Sequence, residues 1–90
     1  MLKSIGYTTK FKKDLAKAKK QGRNLGELAF LIKLLASNLP IPQKYKDHKL
    51  VGNFKGRREC HMEPDFLLIY CVNGNDITFE RLGSHSDLFK

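Results

Sequence analysis

A chain of 90 residues suffices for one domain with a modest core, burying roughly 64% of its surface on folding, and is too short for a two-domain enzyme or a Rossmann-sized nucleotide site. Hydrophobic residues at 41% against 29% charged give a globular rather than a disordered composition. The 17 Lys and Arg against 9 Asp and Glu leave a net charge of +8, a field that favours polyanionic partners, nucleic acid first and an acidic protein second.

In chain order, Lys3 to Tyr7 reads as a short strand. Thr8 or Thr9 then caps a helix that runs to about Gln21 and stops at Gly22. Its apolar stripe of Phe11, Leu15 and Ala18 is narrow. The remaining surface is lysine (Lys10, Lys12, Lys13, Lys17, Lys19, Lys20), opposed only by Asp14, which is the pattern of a solvated face. A second helix starts at Asn24, with Glu27 placed for a capping box. Leu25, Leu28, Ala29, Ile32, Leu35, Ala36 and Leu39 keep helical spacing, and Phe30, Leu31 and Leu34 widen the stripe until the helix is apolar almost all round. Such a helix is expected to be covered on two sides, by the first helix and by a sheet. Leu39-Pro40-Ile41-Pro42 ends it, because proline cannot continue the hydrogen-bond ladder.

Lys44 to Lys55 reads as a basic loop. Three strands follow, Arg57 to Met62, Phe66 to Val72 and Ile77 to Leu82, separated by the turn sequences Glu63-Pro64-Asp65 and Asn73-Gly74-Asn75. Ser84 to Lys90 is too short for an independent element. Helices grouped before strands give an α+β fold over residues 1–90, a helical hairpin packed on an antiparallel meander. Cys60 and Cys71 fit neither a disulfide scaffold nor a CxxC metal site, so they read as small buried hydrophobes in a reducing compartment. Met1-Leu2-Lys3 leads into no apolar signal region, and the longest apolar run, Leu28 to Leu39, is too short for a bilayer and contains Lys33. The expectation is a cytoplasmic protein with no membrane partner.

Strand alternation puts Arg57, Glu59 and His61 on one sheet face and Arg58, Cys60 and Met62 on the other. Cys60 and Met62 suit the core, so Glu59 and His61 point away from the helices. His48 in the basic loop, Arg81 near the end of the last strand and His85 just past it complete a set suited to RNA cleavage. Metal-free ribonucleases use the 2′-OH as an internal nucleophile and need a base, an acid for the leaving 5′-oxygen, and cations for the phosphorane charge. Imidazole, with a reference pKa near 6.5, serves as either acid or base, and arginine offers a planar fork to phosphate oxygens. The plainer readings are surface histidines on strands and Asp65 as a turn residue. His48, Cys60 and His61 match no structural zinc spacing, so no metal and no cofactor are expected. Composition and spacing by themselves reach a basic α+β domain facing RNA.

A resemblance carries the reading further. Tyr45-Lys46-Asp47-His48-Lys49-Leu50-Val51-Gly52, Gly56-Arg57-Arg58-Glu59-Cys60-His61, Glu63-Pro64-Asp65, Leu68-Ile69-Tyr70 and Arg81-Leu82-Gly83-Ser84-His85 occur in an order and spacing that resemble the YafQ branch of the RelE/ParE toxin superfamily. The resemblance implies a RelE-like fold and a bacterial type II toxin that cleaves mRNA in the ribosomal A site. It implies an active-site set of His48, Glu59, His61, Asp65, His85 and Phe89, with Arg81 in support. His85 would be the general acid, and His61, helped by Glu59, a base or phosphate-orienting group. His48 and Arg81 would stabilise charge, Asp65 would hold an imidazole, and Phe89 would stack on a base. Lys44, Lys46, Lys49, Lys55, Arg57 and Arg58 are the candidate RNA contacts. The implied partners are ribosome and mRNA, an acidic DinJ-like antitoxin, and operator DNA only through the antitoxin complex. Two positions depart from the pattern: Glu59 stands where Asp is frequent, and Lys49 where proline is common. The alternatives are a non-nuclease toxin of the same fold, of the kind that poisons gyrase, and a plain RNA-binding module.

Overall fold

The computed structural model describes residues 4–50, 52 and 56–89. Strand β1 (Ser4–Tyr7) leads through Thr8 into helix α1 (Thr9–Lys20). Thr8 is the predicted cap: its hydroxyl oxygen accepts from the Phe11 amide at 3.0 Å and donates to the Glu80 carbonyl at 2.7 Å, so one side chain starts the helix and ties it to the sheet. Lys17, Lys19 and Lys20 complement the helix dipole in the last turn. Gly22 closes the helix in the left-handed region at φ 73°.

Helix α2 (Gly26–Ala36) is shorter than its pattern suggests at both ends. The expected capping box does not form: Leu25 holds the cap position without a side-chain bond, and Asn24 accepts instead from the Gly26 amide at 2.9 Å. At the other end Asn38 turns left-handed, φ 59°, before the prolines are reached. Nor is the helix covered all round. Leu28, Leu31 and Leu35 are buried, whereas Phe30 stays 44% exposed and only tilts toward Tyr45, ring centroids 6.4 Å apart.

The meander is β3 (Arg57–Glu63), β4 (Phe66–Asn73) and β5 (Asp76–Gly83), as the turn sequences require. Gly74 supplies the positive φ, 62°, of the two-residue β4–β5 turn. The sheet extends beyond the expected meander. β1 pairs parallel with β5 from Ser4↔Asp76 to Tyr7↔Phe79, and a two-residue strand β2 (His48–Lys49) pairs antiparallel with β3. The result is a mixed five-stranded sheet in the order β1-β5-β4-β3-β2. The segment read as a loop therefore contributes a 3₁₀ turn at Gln43–Tyr45 and strand β2; residues 51 and 53–55 lie outside the described part.

Two apolar clusters follow from strand alternation. On one face Phe11, Leu28, Leu31 and Leu35 of the helices meet Cys60, Met62, Phe66, Leu68, Tyr70, Ile77, Phe79 and Leu82. On the other, Leu67 and Ile69 of β4 are covered by Leu88, with Leu50 alongside. Leu88 belongs to a four-residue helix α3 (His85–Leu88), an element where the sequence promised none. It holds because Ser84 and Asp87 form a reciprocal capping box and Leu88 has an apolar seat on the sheet.

Candidate active site

Strands β2 and β3 together with α3 bring the predicted histidines into a row on the sheet face away from α1 and α2. His48 lies opposite Glu59 in the β2–β3 pairing, and His61 follows two residues along β3. The bulge at His61/Glu63 and the Pro64–Asp65 turn then return the chain into β4. The capping box and Leu88 fix α3 so that His85 stands beside His61. Ring centroids are 5.7 Å apart for His48 and His61, 5.9 Å for His61 and His85, and 6.1 Å for His85 and Phe89.

Each imidazole has a partner on one nitrogen. A backbone carbonyl only accepts, so the 2.7 Å contact from His48 Nδ1 to the Lys46 oxygen places the proton on Nδ1 and leaves Nε2 for the site. His61 Nε2 sits 2.7 Å from Glu59 Oε1, which leaves Nδ1. Asp65 Oδ1 accepts from both the backbone amide and Nδ1 of His85, each at 2.8 Å. These bonds, the backbone one first, hold the Asp65 carboxyl below the ordinary aspartate range. Asp65 is thus a turn residue and an imidazole holder at once. Glu59 is 4% exposed, the single buried charged residue among the described ones.

The sequence spacing gave no metal signal, but the fold assembles one across two strands. Ligand atoms of His48, Glu59 and His61 lie within 4.8 Å of one another, a two-imidazole, one-carboxylate set that suits zinc, copper or nickel. Cys60 is not part of it. It sits on the opposite face, wholly buried, its thiol pushed up to about 12 by desolvation and by neighbouring Asp47.

The cations divide into engaged and open ones. Arg57 pairs with Glu80, and Arg58 forks onto Asp47 at 3.1 to 3.3 Å. Arg81 donates to Asp14 of α1 at 2.8 and 3.3 Å, and the same carboxylate accepts the Leu82 amide at 2.9 Å, where β5 runs on past its pairing with β1. The structure therefore sets the Arg81 guanidinium on α1, not among the imidazoles. Lys44, Lys46 and Lys49 are exposed around β2, and Lys55 lies outside the described residues. Sequence reasoning gave Asp47, Asp14 and Glu80 no part in holding the arginines. The signal was there in Asp47, an isolated acid among Lys44, Lys46 and Lys49 directly before His48.

A family model described as a bacterial toxin of a type II toxin–antitoxin system, YafQ, matches residues 3–90. The chain belongs to the YafQ toxin family. It is 42% identical to the mRNA interferase toxin YafQ of Escherichia coli K12 over 88 residues, 97% of this chain and 96% of that one. Among solved YafQ-like structures, the toxin of the E. coli DinJ–YafQ toxin–antitoxin complex superposes with a TM-score of 0.93 at 41% identity over the whole of both chains. A metal-bound toxin from Helicobacter pylori superposes at 0.89 with 45% identity, covering 99% of this chain and 100% of that one.

Proposed function

We propose that this YafQ family member is an mRNA interferase, an endoribonuclease that cuts mRNA in the ribosomal A site and so inhibits translation. The observation that carries the reading is the row of His48, His61 and His85, two of them tied to carboxylates, on one face of the sheet. In the reaction, His61, oriented by Glu59, takes the 2′-OH proton as the oxygen attacks the adjacent phosphorus. His85, its Nδ1 held on the Asp65 carboxylate, gives its Nε2 proton to the departing 5′-oxygen. His48 as an imidazolium has one N–H for the Lys46 carbonyl and a second for a phosphorane oxygen. Phe89 beside His85 stacks on a base, and Lys44, Lys46 and Lys49 hold flanking phosphates. Arg81, held by Asp14, supports the site through β5.

The partners of this reading are the ribosome and mRNA, an acidic DinJ-like antitoxin drawn to the +8 surface, and operator DNA through the antitoxin complex only. Free thiols at Cys60 and Cys71 fit a cytoplasmic location. Among the described residues no helix is long and apolar enough to cross a membrane.

Primer extension on a reporter mRNA in a purified translation system tests the reading. The native protein should cut within translated codons, and His85→Ala should lower the rate by about 10²- to 10⁴-fold, the usual worth of a positioned acid. A folded, growth-inhibiting native protein that leaves the mRNA intact would replace the nuclease reading with the gyrase-poison one.

A further inference from the structure

We infer that Asp47 is a positioning residue for His48, its carboxylate clamped by Arg58 and Tyr70 on the helix side of the sheet so that the imidazole is presented on the other side. The inference rests on the nuclease reading only for its kinetic consequence.

The strand that carries His48 cannot hold itself. β2 has two residues, paired as His48↔Glu59 and Lys49↔Arg58, with one further backbone bond from the Leu50 amide to the Arg57 carbonyl at 2.8 Å. A strand that short is weakly registered, and a slip of one residue turns every side chain to the opposite face. In this case the slip would bring Asp47 or Lys49 to the site and remove His48.

Asp47 blocks that slip from the other face. Its oxygens accept from Arg58 Nε at 3.2 and 3.3 Å, from Arg58 Nη2 at 3.1 Å and from Tyr70 Oη at 2.6 Å, with Cys60 Sγ at 3.8 Å. Tyr70 is 1% exposed and sits in β4, so the hydroxyl that grips Asp47 is anchored in the core. Desolvation and then Asp47 itself push the Tyr70 hydroxyl up, so it remains a donor wherever the protein works. On the other side of Asp47, Lys46 takes a left-handed φ of 49°, which turns its carbonyl to accept His48 Nδ1–H at 2.7 Å. The clamp therefore fixes both the register of His48 and the acceptor that holds its Nδ1–H, so that Nε2 faces the site whether the ring is neutral or protonated.

The test combines a double-mutant cycle with spectroscopy. In the translation system, Asp47→Ala and Tyr70→Phe should each lower kcat about ten- to a hundredfold, the usual effect of an ångström of misplacement, with KM changed less than about twofold. On a His48→Ala background neither should cost anything further, because the residue through which they act is gone. Imidazole ¹⁵N spectra, recorded above the histidine titration range, should show His48 fixed with its proton on Nδ1 in the native chain and exchanging between Nδ1 and Nε2 in both variants. Asp47→Asn, which keeps an acceptor for Tyr70, should restore part of the rate. Equal losses with and without His48, or an unchanged His48 tautomer in the folded variants, would overturn the inference. If the native protein cuts no RNA the nuclease reading fails, and the ¹⁵N spectra still decide whether Asp47 positions His48.

Discussion

Cys60 lies wholly buried between β4 and Asp47, whereas Cys71, one residue beyond Tyr70, is partly exposed with its thiol 3.5 Å from the Gly56 carbonyl. Only the thiolate is reactive, so desolvation that lifts Cys60 to about 12 protects it twice, by charge state and by access. A thiol reagent at pH 8 should modify one equivalent in the native protein and two after denaturation. Fast modification of both without unfolding would contradict the burial of Cys60. The arginines show the same dependence on neighbours. Arg57, Arg58 and Arg81 each meet a carboxylate and keep their charge for structure, so near the imidazoles the exposed lysines around β2 carry the charge open to a phosphate.

At the scale of elements, α3 is the piece most dependent on its surroundings. Four residues cannot sustain a helix, since nucleation alone outweighs the one turn of hydrogen bonding gained. Two aspartates hold it: Asp87 through the Ser84 amide and hydroxyl and Lys17, and Asp65 through the His85 amide and imidazole. Both carboxyls titrate below the ordinary aspartate range for these reasons. A lowered folded value means that their contribution is complete above the unfolded pKa, near 3.9, and is lost as pH falls through the folded one. Acid titration followed by NMR should therefore shift the His85 and Leu88 amides below about pH 4 ahead of core amides such as Leu31 and Phe79. The early shift should vanish in an Asp65→Ala, Asp87→Ala chain. Simultaneous loss of all four signals in the native chain would show that α3 is not separately held.

At the scale of the molecule, the +8 charge is concentrated in lysines that the fold leaves in solvent, on α1 (Lys10, Lys12, Lys13, Lys17, Lys19, Lys20) and around β2. A surface of that kind binds polyanions by releasing counterions, with an affinity that falls as a power of salt concentration. If roughly five phosphates are contacted, binding of a single-stranded RNA should follow a log–log salt slope of about −3.5. Neutralising Lys44, Lys46 and Lys49 together should flatten it. A salt-independent affinity would remove nucleic acid from the list of partners. An RNA-binding module without chemistry would keep this slope after all three histidines became alanine, so slope and cleavage separate binding from catalysis.

Much of this architecture is local and was legible in the residues. Thr8 and Gly22 bracket α1 by capping chemistry, the Pro64-Asp65 and Gly74 turns fix the meander, and period-two alternation separates Glu59 and His61 from Cys60 and Met62. The order and spacing of the His48, His61, Asp65 and His85 motifs pointed to the YafQ family, and the family match bears that out. What the sequence could not supply depends on partners distant along the chain. The parallel seat of β1 on β5 joins residues some 70 apart, and α3 exists because Leu67 and Ile69 offer Leu88 an apolar surface. The bond from Arg81 to Asp14 and the grip of Arg58 and Tyr70 on Asp47 are side-chain choices among several acids of equal local appeal. Propensity and periodicity are sums over neighbours in sequence, so they set elements and faces. Which carboxylate an arginine or a histidine meets is decided by packing in three dimensions, and only the tertiary structure records it.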